Sequence, residues 1–231
     1  MKTANRLLAF LVAACTLAAL IGCSLRPSTS GGGGKPAAPE TTAVVTAPAS
    51  EEDLDGLNAL FSDLFRTLTR AQTTVEYDDP AVGTTLTATS NLTRDGETLT
   101  YRATVDRVNP ADADRFLTSE TQTPVTGTVE EIRANCSDLI VWDRVATGLV
   151  LSTPAFSSEN LTSPEIEERK NEKTLLASVP DAKLESFFGF APTGVTGMRI
   201  TVIYTASAVS SLWLAYTAGA ATVSVTVTYT Y

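Results

Sequence analysis

An amphipathic pattern begins at Glu51, where apolar residues start to recur every three or four positions. This spacing places them on one face of a helix. The acidic residues Glu51, Glu52 and Asp53 stand at its start, where the positive end of the helix dipole favours negative charge. We therefore predict an amphipathic helix whose apolar face is formed by Leu54, Leu57, Leu60, Phe61, Leu64, Phe65 and Leu68.

Two alternating runs follow, from Leu86 to Leu92 and from Leu99 to Val105, with threonine at most intervening positions. Between them stands Arg94-Asp95-Gly96. Asp-Gly favours a tight hairpin, because glycine adopts positive φ at no steric cost. The pattern predicts a long antiparallel pair with one apolar face and one wet, threonine-rich face.

The C-terminal end alternates in the same way. Ile200 to Tyr204, Leu212 to Tyr216 and Val223 to Tyr231 predict a three-stranded meander, with turns near residues 208–211 and 218–220. The last strand carries apolar residues on one side and Ser224, Thr226, Thr228 and Thr230 on the other. It is the longest stripe of the three.

The middle of the chain shows shorter patterns. After a predicted loop at residues 109–114, two strands are expected at roughly Val129 to Ala134 and Leu139 to Val145, with Leu149 to Leu151 starting another. These assignments rest on short apolar runs bounded by polar residues.

A helical insert is predicted next. Ser163-Pro164-Glu165 is typical of a helix start, because proline is tolerated in the first turn. The helix continues through Ala177 and stops at Val179-Pro180, and a second short helix runs from Asp181 to Phe188. The whole order predicts an α+β fold, with an N-terminal amphipathic helix packed on a strongly curved antiparallel sheet.

The N-terminus combines Lys2 and Arg6 with an apolar run from Leu7 to Ile21. Such a run is a secretory signal, since it is too short to cross the ~30 Å apolar layer of a membrane comfortably. Leu20-Ile21-Gly22-Cys23 resembles the lipobox of bacterial lipoproteins. The resemblance implies cleavage after Gly22, a diacylglycerol on Cys23, and export to the outer leaflet, the cell surface or the periplasmic side of a membrane.

Composition divides the chain into three parts. We predict a signal peptide at 1–22, a lipidated cysteine with a disordered Gly-, Ser- and Pro-rich linker at 23–50, and a single domain at 51–231. Loss of Lys2 and Arg6 takes the net charge from −9 to about −11. An acidic domain repels nucleic acid, so no nucleic-acid partner is expected.

The chain contains no histidine, which removes the usual general base and most zinc sites. We expect no catalytic residue, no metal, no cofactor and no enzyme activity. The acidic pairs Asp78-Asp79 and Glu130-Glu131 and the group Glu165, Glu167 and Glu168 are interpreted as solvated surface charge. Cys136, the only cysteine besides Cys15 and Cys23, is interpreted as a small packed or idle residue, so no disulfide framework is expected.

The predicted domain looks like the LolA and LppX/LprG class of lipid-binding proteins. The segment Ser137-Asp138-Leu139-Ile140-Val141-Trp142-Asp143-Arg144 resembles a polar turn followed by an aliphatic-aromatic strand and an aspartate in that class, and the terminal Thr-Val-Tyr strand fits as well. The family usually has glycine in the turn, where this chain has Asn135-Cys136-Ser137. The resemblance implies an unclosed half-barrel with helices over its concave side.

Two functions remain open from the sequence. One is a membrane-anchored lipoprotein that binds or carries a lipid or other apolar ligand in a half-barrel cavity. The alternative is a non-catalytic structural or protein-interaction module of the cell envelope with a filled core. The ligand, the protein partner and the oligomeric state are not specified. The expected lining residues for an apolar ligand are Leu57, Phe61, Leu64, Phe65, Tyr101, Trp142, Trp213 and Tyr229.

Overall fold

The computed structural model describes residues 44–81, 83–108, 116–135 and 148–231. In these residues eleven strands join in one sheet, and every pairing is antiparallel. The strands are β1 (Val45–Pro48), β2 (Arg70–Asp79), β3 (Thr84–Asp95), β4 (Thr98–Val108), β5 (Phe116–Thr121), β6 (Val125–Gly127), β7 (Thr162–Arg169), β8 (Glu172–Val179), β9 (Val195–Tyr204), β10 (Val209–Ala218) and β11 (Ala221–Thr230).

The sheet is built from two meanders that meet in its middle. Its order is β1-β7-β8-β9-β10-β11-β2-β3-β4-β5, and β6 pairs with the free part of β4. The junction is the pairing of β11 with β2, where Tyr229 lies opposite Ala71 and Val225 opposite Val75. The first and last long strands of the domain are therefore neighbours, and the two halves share one apolar face.

Three helices and one 3-10 turn accompany the sheet, and the described residues 148–150 are helical as well. They are α1 (Glu51–Thr67), α2 (Val129–Asn135), α3 (Leu184–Phe188) and the 3-10 turn Asp181–Lys183. A capping box starts α1: Ser50 Oγ accepts from the Asp53 amide at 3.2 Å, and the Asp53 carboxylate accepts from the Ser50 amide at 3.1 Å. The helix ends at Thr67, because Leu68 takes an extended conformation with ψ 145°.

Alternation along the strands places the apolar side chains on one face. On β11, Val223, Val225, Val227 and Tyr229 are buried, while Thr222, Thr226, Thr228 and Thr230 are exposed. The buried face shares one core with α1, α3 and the segment of residues 149–161. The opposite face of the sheet is rich in threonine, as the sequence predicts.

The predicted fold class is wrong. The domain is predominantly β, with a single sheet of eleven described strands in place of an α+β half-barrel made of a helix layer on a sheet. The physical reason is length, because the 17 residues of α1 span only about 25 Å at 1.5 Å per residue. The ten-strand path of the sheet extends about 43 Å at 4.7–4.9 Å per spacing. One helix cannot form the opposing layer.

Several individual elements are confirmed. Helix α1 begins at Glu51 as predicted, and the β3–β4 hairpin turns at Gly96, whose φ is +59°. The C-terminal meander is present as β9, β10 and β11, although its first turn lies at residues 205–208 and Val209 already begins β10. The short helix near Asp181 is present as the 3-10 turn followed by α3.

Other elements differ from the prediction. The helical insert proposed from Ser163 to Ala177 is the strand pair β7 and β8, and Pro164 stands where their register shifts. The strand predicted at Val129 is helix α2, and residues 148–150 are helical rather than the start of a strand. Val45–Pro48, assigned to the disordered linker, is the edge strand β1 paired with β7.

Some predictions fall outside the described residues. These are the signal and lipobox, most of the linker, the loop at 109–114, the strand at Leu139 to Val145, Cys136, and the segment from Ser137 to Arg144 that includes Trp142.

We predict that Leu57→Ala lowers the free energy of unfolding by about 2–5 kcal/mol, because Leu57 is fully buried and its removal leaves a cavity. The matched control is Leu60→Ala on the same helix, where the side chain is half-buried and the loss is smaller. Denaturant unfolding followed by circular dichroism measures both. Equal losses would contradict the assignment of the buried helix face.

Candidate functional site

The helix residues predicted to line an apolar cavity lie in the core. Leu57, Phe61 and Leu64 are at most 1% exposed, and Phe65 is half-buried against the same cluster. They project from α1 because helical spacing places them on one face. Their neighbours in the cluster are protein side chains from strands and loops, so these residues form part of a shared core.

A chain of phenylalanine rings continues this core away from α1. The Phe61 ring centroid is 5.2 Å from that of Phe156, and Phe156 is 5.3 Å from Phe187 with the planes at 87°. Phe187 and Phe188 stack edge to face at 4.8 Å. Such edge-to-face pairs add to the stabilisation from burial alone. The rings link α1, the 149–161 segment and α3.

Asn58 holds the Phe156 segment against the helix. Its side-chain amide donates to the Phe156 carbonyl at 2.8 Å, and its carbonyl accepts from the Phe156 amide at 2.8 Å. This pair satisfies both backbone groups of a residue that has no strand partner. This role of Asn58 cannot be predicted from the sequence, because a lone polar residue beside an apolar stripe gives no periodic signal.

The remaining predicted ligand residues do not share one site. Tyr101 and Tyr229 are buried on the core face of the sheet, at 4% and 6% exposure. Trp213 lies on the other face, since its neighbours Leu212 and Leu214 occupy the buried side of β10. The prediction that Trp213 and Tyr229 line a common cavity is therefore wrong, because the two-residue period of a strand separates their faces.

Two tyrosine hydroxyls end in the core without a hydrogen-bond partner among the described residues. Tyr204 Oη and Tyr229 Oη are buried and unpaired, whereas Tyr231 Oη donates to the Val209 carbonyl at 3.0 Å and accepts from its amide at 3.2 Å. Burial raises the pKa of Tyr204 and of Tyr229, because the phenolate would lose its hydration. A buried hydroxyl without a partner is costly, so a hydrogen-bonding atom brought to either hydroxyl would be stabilising.

A charged pair lies at the start of α1, beside one of these tyrosines. Lys173 Nζ donates to Asp53 Oδ1 at 2.7 Å, and Lys173 stands opposite Tyr204 in the β8–β9 register. The hydrogen bond from Lys173 and then that from Ser50 lower the pKa of Asp53. The same carboxylate raises the pKa of Lys173. Asp53 thus caps the helix and fixes β8 against it.

The threonine-rich face is an accessible polar surface that the described strands present. Across it, directly opposite residues from consecutive strands form rows. Hydroxyl pairs bridge neighbouring strands, with Thr104 Oγ1 3.2 Å from Thr121 Oγ1 and Thr196 Oγ1 2.6 Å from Thr217 Oγ1. Hydroxyls both donate and accept, so this face can match ligands that do the same.

The acidic residues singled out in the sequence do not converge within the described part of the chain. There, no group of three potential ligands is arranged to hold a metal ion. Glu167 Oε2 lies 3.9 Å from Arg169 Nη2, a separation typical of a solvated surface ion pair. None of the helices formed by the described residues has the length and hydropathy needed to cross a membrane.

Comparison with known proteins gives weak matches only. The sequence matches no protein-family model and no curated protein. Among solved structures, it is similar to the dehydratase domain from the CurK module of the curacin polyketide synthase, at 10% identity and a TM-score of 0.17 over 80% of this chain and 83% of that one. The dehydratase domain from the CurH module of the same synthase matches at 11% and 0.17, covering 80% and 91%. An N-terminal dehydratase from the difficidin assembly line matches at 9% and 0.15, covering 80% and 93%.

The prediction that this chain is not an enzyme is corrected on this comparison, because the similar structures are enzyme domains. An enzyme activity of this chain is therefore no longer excluded. TM-scores below 0.2 carry no argument for a shared activity, so no dehydratase chemistry is transferred to these residues.

We predict that Asp53 stabilises the fold above the pKa of an unfolded aspartate, about 3.9, and that this stability is lost as the pH falls through its lowered folded pKa. Lys173→Met should move the Asp53 pKa upward and weaken this acid dependence, since the first cause of the shift is removed. Carboxyl NMR titration and unfolding between about pH 2 and 6 measure both. Lys170→Met, at the exposed β7–β8 turn, is the control. An unchanged Asp53 pKa in Lys173→Met would contradict the pairing.

Proposed function

We propose that this chain is an exported lipoprotein, anchored to a membrane through Cys23, whose domain has a filled core and acts through its surface in the cell envelope. The burial of Leu57, Phe61 and Leu64 among protein side chains supports the proposal that the core is filled and that the domain acts through its surface. Residues expected to meet a ligand instead meet Phe156 and the sheet. The accessible surface is the polar face.

The anchor rests on the sequence. Leu20-Ile21-Gly22-Cys23 ends an apolar run with a positive start, as in bacterial lipoprotein signals. Cys23, the expected attachment site, precedes the described residues, which begin at residue 44. Two or three acyl chains give firm anchoring without help from protein charge, because each buried methylene contributes about 0.8 kcal/mol. The chain's net charge of −9 gives no such help at an anionic surface.

We predict that Cys23→Ala releases the protein from membranes and abolishes metabolic labelling with a fatty acid. The thiol is the proposed acyl attachment point, and an alanine cannot form the thioether. Membrane fractionation and labelling measure the two effects. Cys15→Ala, within the proposed signal, is the matched control and keeps both. Labelling that persists in Cys23→Ala would overturn the anchor.

A second candidate function is carriage of an apolar ligand with a polar group. The observation that favours it is the presence of two unpartnered hydroxyls, Tyr204 Oη and Tyr229 Oη, in a predominantly apolar core. A ligand that brought a hydrogen-bonding atom to either hydroxyl would remove a desolvation cost while its apolar part displaced core contacts.

Tyr229→Phe separates these candidates. In a filled core the change removes an unsatisfied hydroxyl, and we predict that stability stays the same or rises. If a ligand contacts the hydroxyl, the change weakens ligand binding about two- to tenfold. The full chain carrying Cys23→Ala, which has no covalent lipid, is extracted with organic solvent and the extract is analysed by mass spectrometry. A stoichiometric lipid that is lost in Tyr229→Phe would favour the carrier over the filled core.

A further inference from the structure

Trp213 is an aromatic side chain on the polar face of the sheet. It is half-buried, and its indole nitrogen donates to Ser224 Oγ at 3.0 Å. The residues two positions away on its own strand, Ser211 and Ala215, are small. The hydrogen bond fixes the edge of the ring, and the small neighbours leave room beside it.

Trp213 lies in a row of residues that crosses the sheet, with Thr201 of β9 on one side of it and Thr226 of β11 on the other. From Thr226 each residue of the row lies opposite the next on the adjoining strand, as far as β5. All are accessible, and five strand spacings make the row from Trp213 to β5 about 24 Å long. This part of the row, called here the Trp213 track, consists of Trp213, Thr226, Thr74, Thr89, Thr104 and Thr121.

The Trp213 track is uncharged, although charged residues stand on both sides of it. Two positions along the strands in one direction lie Glu76 and Asp106, with Arg199 of β9 opposite Ala215 at the Trp213 end of that flank, and in the other direction lies Arg102. A polyanion on the track would approach the two carboxylates of a chain whose net charge is −9, and a polycation would approach the two arginines. Charge complementarity therefore favours a neutral ligand.

We propose that the Trp213 track binds a neutral glycan. An indole face suits the apolar C–H face of a sugar ring, and a row of hydroxyls that donate and accept suits sugar hydroxyls and amides. An extended chain can follow such a long row, whereas a compact ligand contacts only part of it. The inference rests on the proposed function, in which the surface of an envelope domain does the binding, and it names the partner chemistry of that surface.

The test is isothermal titration of the full chain in detergent with two neutral probes, a β-1,4-linked hexamer of N-acetylglucosamine and maltohexaose. We expect at least one to bind with a dissociation constant of about 1 mM or tighter. Trp213→Ala should weaken that binding about tenfold and Trp213→Phe, which keeps a ring, much less. The double change Thr74→Val and Thr226→Val keeps the side-chain shape and should weaken it by about two- to tenfold for each hydroxyl lost.

Thr98→Val is the matched control, since Thr98 lies on the same face of β4 as Thr104 but three rows away. It should bind as the unchanged chain does. Absence of binding to both probes at millimolar concentration, or binding that Trp213→Ala leaves intact, overturns the proposal. So does Trp213-dependent binding to phosphatidylcholine vesicles in place of the glycans, which would make the face a membrane contact. Each variant is checked for unchanged unfolding, and the Cys23→Ala and extraction results stand apart from all of these outcomes.

Discussion

The domain depends on covering one apolar face of a very wide sheet. Ten strands side by side present more apolar surface than a 17-residue helix can shield, so other segments must contribute. The remainder comes from α3 and from residues 149–161, which carry Phe156 into the core without forming a strand. Asn58 makes this possible, because its paired hydrogen bonds satisfy the backbone of Phe156 where no sheet neighbour does.

The parts of the fold that were predictable are those with strong periodicity. Helix α1 and the β3–β4 hairpin follow from three- and four-residue spacing and from an Asp-Gly turn. Strand β2 is not predicted by the alternation pattern, because its buried side chains, Ala71, Thr73 and Val75, are short or polar and give a weak apolar signal. The sequence predicts a helix where β7 and β8 lie, because β7 buries little besides Ile166 and its charges resemble those of a helix surface. The width of the sheet, and with it the fold class, depends on these missed strands.

For the candidate sites, too, periodicity predicts some features and leaves others undetermined. Burial of Leu57 and Phe61 follows from the helix pattern, but the sequence could not tell a ligand from Phe156 as their neighbour, since the two lie about a hundred residues apart. The ion pair of Asp53 with Lys173 could not be predicted either, because Lys173 lies in a segment for which the sequence predicts a helix. Trp213 is among the residues expected to line an apolar cavity, although its place in the alternation of β10 puts it on the face opposite Leu212 and Leu214. Its environment is set by register with β9 and β11, which periodicity in one strand does not specify.

The junction between β2 and β11 also bears on how the chain avoids aggregation before it is complete. Residues 80–220 separate the two strands, so the edge of β2 that faces β11 stays open, even after β2 has paired with β3, until nearly the whole chain is available. An open strand edge is a template for other chains. Arg70, Glu76, Asp78 and Asp79 give β2 a charge at both ends, which discourages pairing between nascent copies. The weak hydrophobicity of β2, which makes it hard to predict from the sequence, thus also lowers the risk of aggregation while the chain is incomplete.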